Sequence, residues 1–198
     1  MVTMLVGLAL FLGVHSLKIL RPAHDRLSAA LGATGYKAAY ALLSLAGIVL
    51  AARGYGAWRA EGPPILYTPP AGLSHLSMLL MVFAFVFLVA AYLPGHIKHA
   101  LKHPMLVAVK IWALAHLLAN GDLASVVLFG AFLAWAVADR ISVKRRQRAG
   151  EIAPAAFTPR WQADAVAVVV GFVVYALFVW KLHLWLIGVS PLAVVPAV

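Results

Sequence analysis

Of 198 residues, 64% are hydrophobic and only 11% charged, against about 45–50% and about 25% in soluble domains, so the chain reads as an all-α polytopic membrane helix bundle. Sixteen Lys and Arg against six Asp and Glu give a net charge of +10, and the lack of cysteine excludes disulfides, zinc–thiolate sites, iron–sulfur clusters, thiolate haem ligation and cysteine nucleophiles. At roughly 20 residues per span, six helices and short connections use nearly the whole length, and a single transmembrane domain over 1–198 is expected.

The first predicted span, Met1–Leu20, has no basic residue before its apolar core and no small-x-small cleavage site, so it reads as a retained helix. It carries His15 beside Ser16, and Gly7, Ala9 and Gly13 thin its surface. The second span is expected from about Tyr36 to Ala52. A loop, Gly54–Gly72, follows, whose GPPILYTPP contains four prolines; X-Pro steps hold the backbone extended, so this loop is expected to cover the outer face. Further spans are predicted at Leu73–Leu93, Met105–Ala119, Leu123–Ala138 and Ala163 to about Trp180. A helix from Ala163 to Ser190 would run about 42 Å, longer than a roughly 30 Å hydrocarbon core. The tail after Lys181 is therefore expected to turn at the interface, with His183 and Trp185 in the headgroup belt.

Basic residues divide unevenly between the connections. Lys18, Arg21, Arg26, Lys37, Lys98, Lys102, Arg140, Lys144, Arg145, Arg146, Arg148 and Arg160 fall on one side, against Arg53, Arg59 and Lys181 on the other. The positive-inside rule then places both termini outside the cytoplasm. The run Lys144–Arg148, KRRQR, is explained by anionic headgroups as a topology anchor, and no nucleic acid is needed as a partner.

The stretch His103–Asp122, HPMLVAVKIWALAHLLANGD, holds a histidine deep in a span. An ionisable residue in hydrocarbon is a candidate site by default. On a helix Trp112, His116 and Asn120 recur every four residues and share one face. Asp122 is placed to cap the following helix, with a secondary possibility of orienting a ligand histidine. His24, His75 and His183 read as solvated or interfacial. His96, His99 and His103 in GHIKHALKHP have the spacing of a zinc or copper site if helical, but two interleaved lysines and the lack of a nearby carboxylate argue against it.

His15 and His116, on different helices among apolar and small residues, match what a bis-histidine haem b site requires, with Lys18, Arg21, Lys98 and Lys102 as cations for its propionates. The predicted boundaries set the two histidines roughly 10 Å apart in depth. A tilted ring or shifted boundaries would absorb this, and otherwise His103 is the alternative ligand. In the plainer alternative, both histidines only hydrogen-bond neighbouring helices.

The segments LFLGVHSLKILRP and LVAAYLPGHIKHALKHPMLVAVKIWALAHLLANGDLASVVLFGAFLAWAVADR, with the TPP of the loop, resemble the NnrU family of bacterial membrane proteins over most of Met1–Arg140. The family is named for a link to nitrite and nitric oxide reduction in denitrifiers. It is similar to the plant 15-cis-zeta-carotene isomerase, a membrane enzyme that uses haem b. The resemblance implies that the family's histidines are His15, His103 and His116, and leaves His96 and His99 outside its motif. It implies a haem protein serving denitrification, with nitric oxide as a partner, or a haem-dependent isomerase acting on a carotenoid-like polyene. A haem-free scaffold for reductase maturation is the third possibility.

Overall fold

The structure is a computed structural model that describes residues 1–70, 72–153 and 156–192. The elements in chain order are α1 (Val2–Ser16), α2 (Arg21–Ala60), α3 (Gly72–Ala90), α4 (His96–Leu101), α5 (Pro104–Ala119), α6 (Leu123–Arg148), α7 (Trp161–Leu177), a π-helical turn (Phe178–Leu182) and α8 (His183–Ile187). Among the described residues there is no strand, only an isolated antiparallel bridge between Ile65 and Asp122. Four helical stretches, Arg21–Ala60, Gly72–Ala90, Leu123–Arg148 and Trp161–Ile187, are long and apolar enough to cross a membrane, and Val2–Ser16 and Pro104–Ala119 are shorter apolar helices. These six correspond one to one with the six predicted spans.

Several boundaries differ from expectation, among them the end of the second span, where the helix runs on to Ala60 through the start of the segment read as a loop. The segment read as a loop after Leu20 is helical from Arg21, with Pro in its first turn, and the helix breaks only at Gly32, whose φ of 67° and ψ of 168° are not helical. The helix expected to stop at Ala138 continues to Arg148. The last helix passes Lys181 through the π-helical turn and ends where Gly188 takes a left-handed φ of 81°. The cause is common to the latter two. Lys and Arg are good helix formers, so a charge ends the apolar stretch without ending the helix. Trp161 and Trp180, both strongly exposed, lie roughly 28 Å apart along this last helix, matching a hydrocarbon core with an aromatic ring at each edge. Of the tail, residues 193–198 lie outside the described residues.

The chain forms two compact units. The first contains α1, α2, α6 and the proline-rich loop as far as Thr68; the second contains α3, α4, α5, α7 and α8. Both bury small residues and expose large ones: Ala51, Ala113, Ala124 and Ala136 are fully buried, whereas Leu42, Leu45, Val169 and Phe172 are more than half exposed. Lipid gives no hydrophobic drive between helices, so close backbone approach through small residues takes its place.

In the first unit α1 lies on α2 with almost no side chain between them. A Cβ on Gly7 would strike the backbone of Gly47 and Ala51, and one on Gly54 would strike Met4. The thin surface of α1, expected to make room for a cofactor, is at Gly7 filled by α2. Gly13 alone keeps open space beside it. In the second unit Gly171 of α7 meets the backbone of Val86 in α3, and Phe85 packs against Tyr175 and Phe178 with centroids 6.1 and 5.1 Å apart.

Candidate functional site

His15 lies in the last turn of α1, half-buried, with its Nδ1 2.8 Å from the carbonyl oxygen of Phe11. A carbonyl only accepts, so Nδ1 carries the proton and the lone pair lies on Nε2, the state an imidazole needs to bind a metal. The ring stacks on Phe11 at 4.1 Å, with Tyr40 at 5.1 Å and the edge of Trp135 at 5.8 Å. The Trp135 indole nitrogen is buried with no hydrogen-bond partner. Three aromatic residues from α1, α2 and α6 thus hold one oriented imidazole within the first unit.

His116 in the second unit repeats the arrangement. Its Nδ1 lies 2.8 Å from the carbonyl oxygen of Trp112, four residues earlier, and its ring centroid is 5.2 Å from that of Trp112. The same tautomer follows. The helical face is shorter than predicted, because α5 ends at Ala119 and Asn120 lies beyond it. The Asn120 main-chain carbonyl instead accepts the Tyr67 hydroxyl at 2.9 Å. Within this unit His183 bears electrostatically on His116. Its own Nδ1 donates to the Val189 carbonyl oxygen at 2.6 Å. His183, expected in the headgroup belt, opens the short α8 at the end of a helix that continues past Lys181.

His103 immediately precedes α5, its carbonyl accepting from the Leu106 and Val107 amides, with Pro104 next. Before it, Lys102 has φ 62° and ψ −41°, and the His103 amide bonds back to the Leu101 carbonyl at 2.7 Å. This is a γ-turn of the strained hand, disfavoured for any residue with a Cβ. Lys102→Gly is therefore expected to raise stability by about 1 kcal/mol in detergent thermal unfolding. If Lys102 also holds a propionate, the same variant retains haem less well than wild type.

The GHIKHALKHP stretch takes a different form from a metal cluster. Asp164 of α7 accepts the His96 and Ile97 amides at 2.8 and 3.0 Å, and its Oδ2 is 2.8 Å from His96 Nδ1. His96 also stacks on Trp161 at 4.0 Å. A carboxylate is thus nearby after all, brought from 68 residues away. Lys98 lies over the Phe157 ring at 5.7 Å, and His99 meets the same ring edge-on. Among the described residues no three His, Asp or Glu side chains gather as a metal would need.

A buried polar network in the first unit had no signal in the sequence beyond the capping position. Asp122, 5% exposed, accepts the Ser125 amide at 2.9 Å and the Ser125 hydroxyl at 2.6 Å, capping α6 as predicted. Ser125 pairs with the Tyr55 hydroxyl at 2.8 Å, and Arg59 Nε approaches Asp122 at 3.6 Å. The proline-rich loop is tied to the same place: the Leu66 and Leu123 amides donate to the Gly121 and Pro64 carbonyls. Burial and the Asp122 carboxylate push the Tyr67 phenol up, so it remains a donor to Asn120. Asp122→Ala is expected to lower stability by about 2 kcal/mol, since a cap and a buried acceptor go together. Asp122→Asn, which still caps, recovers part of it; equal losses in thermal unfolding would show that capping is not the source.

The small-residue packing, outward apolar side chains and six apolar helices define an all-α polytopic membrane protein. The chain belongs to the NnrU family: the family described as NnrU protein matches residues 3–191, nearly the whole chain. No curated protein and no solved structure matches it.

Proposed function

We propose that this NnrU-family protein binds haem b, with His15 and His116 as axial ligands and His103 as the alternative. The observation that supports this most is the shared orientation of the two imidazoles. Each gives its Nδ1 proton to a main-chain carbonyl four residues earlier, which leaves Nε2 as the donor. The chemistry of this donor set fits haem iron, and the partnerless Trp135 indole beside His15 fits a site whose occupant is polar at one edge. When bound, haem would supply one-electron chemistry and a metal centre for a small ligand. The chain's own work is to hold the rings: Phe11 and Trp112 fix their tautomers, while Arg21, Lys98 and Lys102 offer cations to the propionates.

The family resemblance connects this reading to nitrite and nitric oxide reduction, and we place the protein in the bacterial inner membrane with both termini periplasmic. The test is an absorption spectrum of the detergent-purified protein. A Soret band that shifts on reduction is expected; colourless protein from haem-replete cells would overturn the reading. Reporter fusions are expected to place the Lys144–Arg148 segment in the cytoplasm, and a periplasmic signal there would reverse the topology.

A further inference from the structure

α6 is 26 residues long, about 39 Å, against a hydrocarbon core of roughly 30 Å. Its apolar stretch ends at Asp139–Arg140, so the turns after Arg140 stand in the headgroup layer. There Ile141 and Arg145, and Ser142 and Arg146, pair at i, i+4 spacing. Together with Ile19 and Arg21 from the α1–α2 junction they line a cleft of about 520 Å³ within the first unit. Arg21, Arg145 and Arg146 are the three cations in its lining. Glu151 is the single carboxylate in its lining, and among the described residues none of the three arginines forms an ion pair. Arg21 does act on Asp25, whose carboxylate is held by His24 at 2.9 Å. The Arg146 Nε is buried with no hydrogen-bond partner, a donor awaiting an acceptor.

We propose that this cleft binds one anionic phospholipid, the arginines taking its phosphodiester and Ile19 and Ile141 lying against its acyl chains. Guanidinium forks match phosphate oxygens, and basic pockets between helices on the cytoplasmic side suit anionic headgroups. The apolar walls distinguish a lipid from a free anion. This goes beyond the haem reading; Arg145 and Arg146 carry it, and Arg21 is the one cation that the two readings share.

The test is native mass spectrometry of the detergent-solubilised protein titrated with phosphatidylglycerol, phosphatidylcholine or sodium phosphate. Wild type is expected to retain one phosphatidylglycerol, to retain no phosphatidylcholine at the same ratio, and to keep the lipid when phosphate is added. R145Q/R146Q is expected to weaken retention at least about tenfold. K144Q/R148Q removes the same charge outside the cleft and is expected to retain the lipid. Ser142→Trp fills the cleft with every charge kept, so it is expected to release the lipid even if the arginine pair does not fold. Equal loss in both double variants, or retention in Ser142→Trp, would mean diffuse charge attraction and overturn the site. Displacement by inorganic phosphate would make it a free-anion site. Loss of haem together with lipid in R145Q/R146Q would assign the cleft to the propionates instead.

Discussion

Replacing His116 by Ala is expected to convert a six-coordinate low-spin haem spectrum to a five-coordinate one, or to abolish haem binding. His15→Ala should do the same. The basis is chemical: each ring is held in the tautomer with its lone pair on Nε2, by a carbonyl of its own helix at 2.8 Å. His103→Ala is expected to leave the spin state unchanged, because His103 immediately precedes α5 and works there through its main chain. An unaltered low-spin spectrum in His116→Ala would refute the assignment. The pair His15 with His103 would then be the one to test.

Gly54→Leu is expected to unfold the first unit or to destabilise it by more than about 3 kcal/mol, because the side chain would have to enter the backbone of α1 at Thr3 and Met4. Gly56→Leu, two residues along the same helix, meets nothing within 4 Å and should be neutral or gain up to about 1 kcal/mol in helix propensity. The comparison holds residue type, helix and hydrophobicity constant. Thermal unfolding in one detergent measures both, and similar stabilities for the two variants would mean that α1 does not lie on α2 as described. Gly7→Leu should behave like Gly54→Leu, since Gly47 and Ala51 block it in the same way.

The cap of α6 was legible because one residue type there has one local job. Asp122 reads as an N-cap from its position after Asn120-Gly121, and it accepts the Ser125 amide as a cap must. Helix lengths were less legible, because hydropathy reports where lipid ends and not where hydrogen bonding ends. That difference accounts for Arg21–Leu31, Arg140–Arg148 and the stretch from Lys181 to Ile187.

The sequence by itself determined the membrane class, six apolar helices and the family, because each rests on composition, on an unbroken apolar length or on a contiguous motif. It also set the local tautomers of His15 and His116, since an i−4 carbonyl is supplied by the helix that carries the ring. Tertiary structure decided the rest. Only folding brings Asp164 onto His96, Tyr55 and Arg59 onto Ser125 and Asp122, and Arg145 and Arg146 into one cleft with Arg21. Such pairings join residues far apart in the chain, and the helix approach that creates them depends on Gly7 and Gly54 meeting backbone, which no residue pattern along one helix reveals.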